Sequence, residues 1–258
     1  MAIYEIMVSD PITSYEGQPD GSGEVPIVDP YNGCELCCPY CFQYGGSWNK
    51  DIYVHLNIAD VVRDKLSSWN KKDEIYVGSK CDPYMPIEEK YGLTRKILAA
   101  LSDLNINTMI ATKSDNNLIL RDLDILTTFN AKITVLMGMA NINQIGKGVV
   151  NSNIALANKL HKSGVAVWVF VTPFLPHIID DEYIINELNP NIPVFIDKLR
   201  IGKDTIQAKN MKRFISNQYP EYILHYEEII NNNDESYYNA LENKYAGNNR
   251  INILFDGK

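Results

Sequence analysis

Four of the five cysteines in this 258-residue chain fall within one stretch, Asp29 to Phe42, which reads Asp-Pro-Tyr-Asn-Gly-Cys-Glu-Leu-Cys-Cys-Pro-Tyr-Cys-Phe. Cys34, Cys38 and Cys41 stand in a C-x3-C-x2-C spacing, and Cys37 lies outside the triplet as a packing residue. Neighbours this close bridge badly as disulfides, because the bond demands particular Cα and Cβ separations. They can converge instead on a soft metal centre, since thiolate is the ligand type of iron–sulfur clusters and of zinc. A structural zinc site or an ordinary cluster wants four protein ligands. No second cysteine pair or suitably spaced histidine pair follows. A [4Fe-4S] cluster on three cysteines leaves one iron open for something else.

The elements around the cysteines read as alternating strands and helices. Val25 to Val28 is a short apolar strand with the cysteine loop directly after it, where α/β barrels put their chemistry. Helical periodicity covers Ile58 to Trp69, Leu93 to Leu104 with Thr94 as candidate cap, Leu118 to Phe129, Ser152 to Lys162 and Asp180 to Leu188. Arg121, Asp122 and Asp124 are expected on the wet side of their helix. Gly164 is a good helix stop. Strands are expected over Glu74 to Gly78, Thr108 to Thr112, Lys132 to Met139, Val165 to Thr172 and Val194 to Ile201. Six repeats of strand then helix imply a parallel sheet. Residues 1–24, with Pro11, Gly17, Pro19, Gly21 and Gly23, read as an irregular N-terminal arm. Residues 25–201 form the barrel. Residues 202–258 are polar and rich in Tyr and Asn, and read as a capping extension of the same domain. The extension carries helices over Asn210 to Asn217, Glu221 to Ile230 and Glu235 to Tyr245, then a short edge strand over Ile251 to Phe255.

The triplet with Tyr40 before its last cysteine resembles the C-x3-C-x-aromatic-C mark of the radical S-adenosylmethionine superfamily. A second stretch sharpens the likeness to its spore photoproduct lyase-like branch. Asp82, Pro83, Tyr84, Pro86, Glu88, Leu93, Thr94 and Arg95 match a T-D-P-Y-Q-P-x-E block and the helix start after it. Thr112-Lys113-Ser114 and Leu120-Arg121-Asp122 match two further blocks, and the resemblance runs from about Val25 to Ile201. It implies a partial parallel (β/α)6 barrel with a helical C-terminal extension. It also implies a [4Fe-4S] cluster on Cys34, Cys38 and Cys41, with S-adenosylmethionine on the open iron. One electron then releases a 5′-deoxyadenosyl radical that abstracts hydrogen from a substrate.

The resemblance also suggests roles. Tyr40 packs on the adenine, Ser79 bonds the cofactor's amino end, and Lys113 either supplies a cation for its carboxylate or is a solvated loop lysine. Asp82 and Glu88 either touch the cofactor or anchor the loop by accepting backbone hydrogen bonds. Cys81 lies near the place where spore photoproduct lyases keep a cysteine that returns a hydrogen atom; a small buried hydrophobe is the plainer reading. Lys198 and Arg200 alternate with Leu199 on the sixth strand. Arg200 there either meets a cofactor or substrate anion, or belongs to a structural ion pair. His177 reads as a surface residue, and Trp168 and Phe170 as core on one face. The chain departs from its relatives at Val135 to Ala140, where a Ser-rich strand and a following Glu-Pro block are missing.

Composition bounds the rest. No run reaches the roughly 18 apolar residues of a membrane span, and no initial apolar run resembles a signal peptide. A cytoplasmic location is expected, which also suits thiolate ligands. The net charge of -8 argues against tight binding to a nucleic-acid backbone without excluding it. The first substrate expectation is therefore a ribosomally made peptide, modified by residue excision, splicing or crosslinking. A small leader-binding partner protein and an external electron donor would serve it. A nucleic-acid lesion lyase is the second reading, and a non-catalytic metal-binding regulator the third.

Overall fold

The computed structural model describes residues 1–12, 26–43, 51–70, 73–140 and 151–255. In chain order the strands and helices are β1 (Ala2–Ile6), β2 (Ile27–Val28), β3 (Tyr31–Asn32), β4 (Asp51–His55), α1 (Ile58–Lys65), β5 (Ile75–Val77), α2 (Glu88–Tyr91) and α3 (Leu93–Asp103). Then come β6 (Thr108–Thr112), α4 (Leu123–Thr127), β7 (Ile133–Gly138), α5 (Asn151–Lys162), β8 (Ala166–Val171), α6 (Asp181–Glu187) and β9 (Val194–Ile196). The tail supplies α7 (Ile206–Gln218), α8 (Ile223–Asn232), α9 (Ser236–Tyr245) and β10 (Ile251–Ile253).

Seven strands form one parallel sheet in the order β10-β9-β8-β7-β6-β5-β2. The expected strand–helix alternation is thus present, and the predicted edge strand of the tail adds a seventh strand beside β9. Every residue of β7 is buried, as a central strand covered on both faces requires. The helices lie outside the sheet, with α1 on α3 and α5 on β7 and β8. Helix α5 stops where expected: Gly164 takes φ +89°, and Val165 N–H returns to the Leu160 carbonyl at 3.1 Å. Trp168 and Phe170 do share a face, but it is not the core one: both are half-buried, and Val167, Val169 and Val171 form the buried face of β8. The two rings pack on Phe195, that of Phe170 at a 4.7 Å centroid separation.

Several expectations need correction. The N-terminal arm is not irregular throughout, because Ala2–Ile6 pairs in parallel with β4, in a second sheet ordered β1-β4-β3. The rest of the arm from residue 13, and Val25 at the start of the first barrel strand, lie outside the described residues. The cysteine loop does not follow the first barrel strand directly. After β2 the chain crosses at Asp29-Pro30 into β3, which pairs antiparallel with β4. Thr94 does not cap α3: left-handed Gly92 precedes the helix, and the buried Thr94 hydroxyl donates to the Pro83 carbonyl at 2.5 Å. The segment from Leu118 begins as a 3-10 turn to Asp122 before α4. Asp122 is fully buried rather than wet, accepting from Arg121 Nε at 2.8 Å and from Tyr84 Oη and Arg95 at 3.3 Å. The sixth barrel strand ends at Ile196, so Lys198 and Arg200 lie in the loop beyond it and not on the strand.

Candidate functional site

The C-terminal ends of β5 to β9 and the cysteine loop enclose a cavity of about 570 Å³. Cys34, Cys38, Cys41, Tyr40, Ser79, Cys81, Lys113 and Arg200, the eight residues singled out from the sequence, all line it. They come from four segments spread over more than half the chain, which only the parallel sheet brings to one end.

Local bonds set the cysteine loop. Tyr31, buried at the base of the loop, donates its hydroxyl to Glu88 Oε2 at 2.5 Å, and Arg121 meets Glu88 Oε1 at 2.6 Å. Glu35 accepts from the Ile87 N–H at 2.8 Å, so the loop is tied to the segment after β5. Tyr40 donates its hydroxyl to the Ala140 carbonyl, which holds its ring against the cavity wall. Cys37 takes a left-handed conformation, φ +47°, with its thiol facing the Cys34 carbonyl at 3.4 Å. It is half-buried and lines the cavity too, which departs from the packing role expected of it.

The segment after β5 pivots on Asp82. Gly78 takes φ +77°, and a Cβ there would lie 2.3 Å from the Pro83 ring, so this turn requires glycine. Asp82 is buried and accepts from Tyr84 N–H at 2.9 Å, Thr112 Oγ1 at 2.9 Å, Lys113 N–H at 2.6 Å and Ser114 Oγ at 2.9 Å. Burial pushes its pKa up and these bonds pull it back. Glu88 accepts from the Thr94 N–H at 3.1 Å, so both carboxylates have the anchoring geometry, one of the two readings open for them. Cys81 is buried with its thiol 3.6 Å from Asp29 Oδ1. Arg200 forks onto Asp197 at 2.8 and 3.1 Å, and reaches the carbonyls of Leu254 at 2.7 Å and Phe255 at 2.9 Å. Those bonds are structural ties between the loop after β9 and the tail, made by a residue that also borders the cavity.

Whether the donor set fits a cluster follows from its chemistry. Burial raises the pKa of Cys34 first, with the Asp82 charge adding to it. Burial and then the neighbouring Cys38 raise Cys41, against a downward pull from Lys113. Three thiolates in such surroundings need a cationic group among them. Among the described residues no three His, Cys, Asp or Glu side chains gather into a single-ion site. A cubane takes each thiolate on a different iron, so the sulfurs must face one space rather than one point. The three cysteines facing one cavity meet that condition.

Residues outside the original candidates complete the site. Asn153, fully buried on α5, donates to the carbonyls of Gly138 at 2.8 Å and Lys113 at 3.1 Å. Gly138 and Phe170 line the cavity. No sequence signal marks Asn153, since its partners lie on two other elements. His177 is exposed as expected, stacked on Tyr222 at 5.1 Å.

No family model matches the chain. The uncharacterised protein MJ0683 of Methanocaldococcus jannaschii is 30% identical over 219 residues, spanning 80% of this chain and 79% of that protein. The uncharacterised protein Rv2578c of Mycobacterium tuberculosis is 26% identical over 174 residues, 59% of this chain and 50% of that one. Among solved structures, a spore photoproduct lyase variant with bound AdoMet and dinucleoside spore photoproduct superimposes with TM-score 0.59 at 17% identity. That match covers 84% of this chain and 66% of the lyase. Streptococcus suis SuiB bound to precursor peptide SuiA gives TM-score 0.54 at 14% identity, over 88% of this chain and 48% of SuiB. At these identities the likeness is one of fold, and the chain spans less than two thirds of either enzyme. By sequence the chain belongs to one family with the Methanocaldococcus protein, and its fold is the one shared by spore photoproduct lyase and SuiB.

Proposed function

We propose that this protein is a radical S-adenosylmethionine enzyme that modifies a ribosomally made peptide. The reading rests on one observation: the C-x3-C-x2-C cysteines, Tyr40, Ser79 and Lys113 border a single cavity at the carboxyl ends of parallel strands. Cys34, Cys38 and Cys41 would hold a [4Fe-4S] cluster, which with bound S-adenosylmethionine would supply reductive radical chemistry for hydrogen abstraction from the substrate. Tyr40 presents a flat apolar face for the adenine. Ser79 accepts from the amino group, and Lys113 pairs with the carboxylate. Phe170, Leu136 and Leu199 keep the cavity wall dry, so that a reactive species meets few stray hydrogen donors. Cys81 is the candidate for a later hydrogen transfer.

The charge of the far wall favours a peptide. Lys198 is paired with Glu235 at 2.5 Å and Arg200 with Asp197 at 2.8 Å, so neither cation is left over for a phosphodiester. SuiB, with its precursor peptide, is a precedent on this fold. A small partner protein that binds the leader, and an external electron donor, belong to the same reading, as does a reducing cytoplasmic setting. A nucleic-acid lesion lyase is the second reading, favoured by the dinucleoside lesion bound in the spore photoproduct lyase relative.

Anaerobic reconstitution with iron and sulfide, then dithionite and S-adenosylmethionine, should yield 5′-deoxyadenosine. A precursor peptide encoded beside the gene should raise that yield and change mass. Tight stoichiometric zinc with no 5′-deoxyadenosine would favour a non-catalytic regulator. A mass change on a lesion-bearing oligonucleotide alone would favour the lyase.

A further inference from the structure

The strand ending at Gly138 contains a glycine that its backbone does not require. Gly138 closes β7 within a regular parallel ladder, paired with Phe170, and has no left-handed φ. Glycine inside a strand weakens it, and its usual meaning is a close approach by another group. That group is Lys113. The register that pairs Thr112 with Met137 brings Lys113 beside Gly138. A Cβ at Gly138 would lie 2.5 Å from Lys113 Cγ and 3.4 Å from its Cε.

The Lys113 backbone cannot move aside to make room. Its N–H donates to the buried Asp82 at 2.6 Å, and its carbonyl accepts from Asn153 at 3.1 Å. The same Asn153 amide holds the Gly138 carbonyl at 2.8 Å, so both strand ends are tied together. Cγ lies one bond beyond Cβ. Only a different χ1 rotamer could relieve contact with a new methyl, and that would point the ammonium elsewhere. The stem of Lys113 thus lies across the bare α-carbon of Gly138, and both residues line the cavity.

We infer that Gly138 is a positioning residue, a slot that fixes the Lys113 side chain in the direction that meets the carboxylate of S-adenosylmethionine. This rests on the role proposed for Lys113 above, and the two can fail separately. The slot acts only through Lys113. A methyl at position 138 should therefore matter while the lysine stem is present and lose its effect when the stem is absent.

The test is a double-mutant cycle on anaerobically reconstituted protein with Gly138→Ala, Lys113→Ala and the pair. It reads iron content, S-adenosylmethionine binding by calorimetry, and thermal melting without added cofactor. G138A should keep its iron yet bind S-adenosylmethionine about 10- to 100-fold more weakly, the loss expected for one charge-assisted contact. K113A should lose a similar factor, and the double variant should bind no more weakly than K113A. Any melting penalty of G138A should shrink in the K113A background, where no Cγ remains to clash. Wild-type binding by G138A beside weakened K113A would overturn the slot and leave the lysine's role standing. Wild-type binding by K113A would overturn both. Losses that simply add, or a melting penalty of equal size in both backgrounds, would show that Gly138 acts through something other than Lys113.

Discussion

Asp29 carries the sharpest electrostatic consequence of any single residue. It is buried, accepts from the Lys80 N–H at 3.3 Å and the Cys81 thiol at 3.6 Å, and its Oδ2 has no hydrogen-bond partner. Burial raises its pKa from 3.8 to about 7, against the downward pull of Lys80 and Cys81. A raised carboxyl stabilises the fold fully below its unfolded pKa, and that contribution is lost as pH climbs through the folded value. The window is therefore roughly pH 4 to 7, and the size on the order of 4 kcal/mol. Asp29→Asn should match the native protein near pH 4 and exceed it increasingly up to pH 7, then keep a constant lead. Denaturant midpoints across that range check this, and parallel curves would refute it. A second residue-scale expectation concerns Cys81. Cys81→Ala should still form 5′-deoxyadenosine but yield an altered substrate product by mass spectrometry; an unchanged product removes the thiol from the mechanism.

Among the elements, the tail helices act as latches on the barrel. Tyr226 on α8 donates to the Pro176 carbonyl at 3.0 Å, and Tyr238 on α9 donates to the Phe174 carbonyl at 3.2 Å while accepting from the Leu199 N–H at 3.2 Å. The tyrosine-rich composition of the extension thus has a mechanical use at the loops after β8 and β9. Arg250 closes the far end. Its guanidinium donates to the carbonyls of Ile185, Leu188, Asn189 and Ile192 at 3.0–3.3 Å, where α6 would otherwise end with open acceptors. Arg250→Met should cost about 1–3 kcal/mol and speed amide exchange around α6 more than in β7. A loss spread evenly over the sheet would argue against a local cap.

At the scale of the whole molecule, seven parallel strands bring the cysteine loop, Lys113 and Cys81 to one end, and the tail adds its strand at the β9 edge. No helix among the described residues is long and apolar enough to cross a membrane. Because the cluster would draw together thiols that burial otherwise keeps protonated, removing iron by chelation should lower the melting temperature by several degrees, on the pattern of ligands that bind only the folded state. An unchanged melt would mean that Cys34, Cys38 and Cys41 hold nothing. The net charge of -8 and the paired Lys198 and Arg200 predict weak oligonucleotide binding. Affinity should show little of the steep salt dependence that comes from neutralising many phosphates, as fluorescence anisotropy from 50 to 200 mM salt would report.

Much of this architecture was legible in the chain. The cysteine spacing is local, and so are the helical periodicity of α3 and α5 and the apolar run of β8, because each pattern is written in residues a few positions apart. Gly164 could be read as a stop for the same reason. What the tertiary structure alone decided depends on partners distant in sequence. Ala2–Ile6 is a strand only because β4 lies beside it, 49 residues away. Asp122 is buried because Arg95, Arg121 and Tyr84 converge on it. Arg200 turns toward Asp197 and the tail because β9 ends at Ile196, earlier than its apolar pattern suggests. Asn153 meets the carbonyls of Gly138 and Lys113 only once β6 and β7 lie side by side. Short-range periodicity declares which elements form; which side chains meet depends on sheet order and register, and those arise only when the chain is packed.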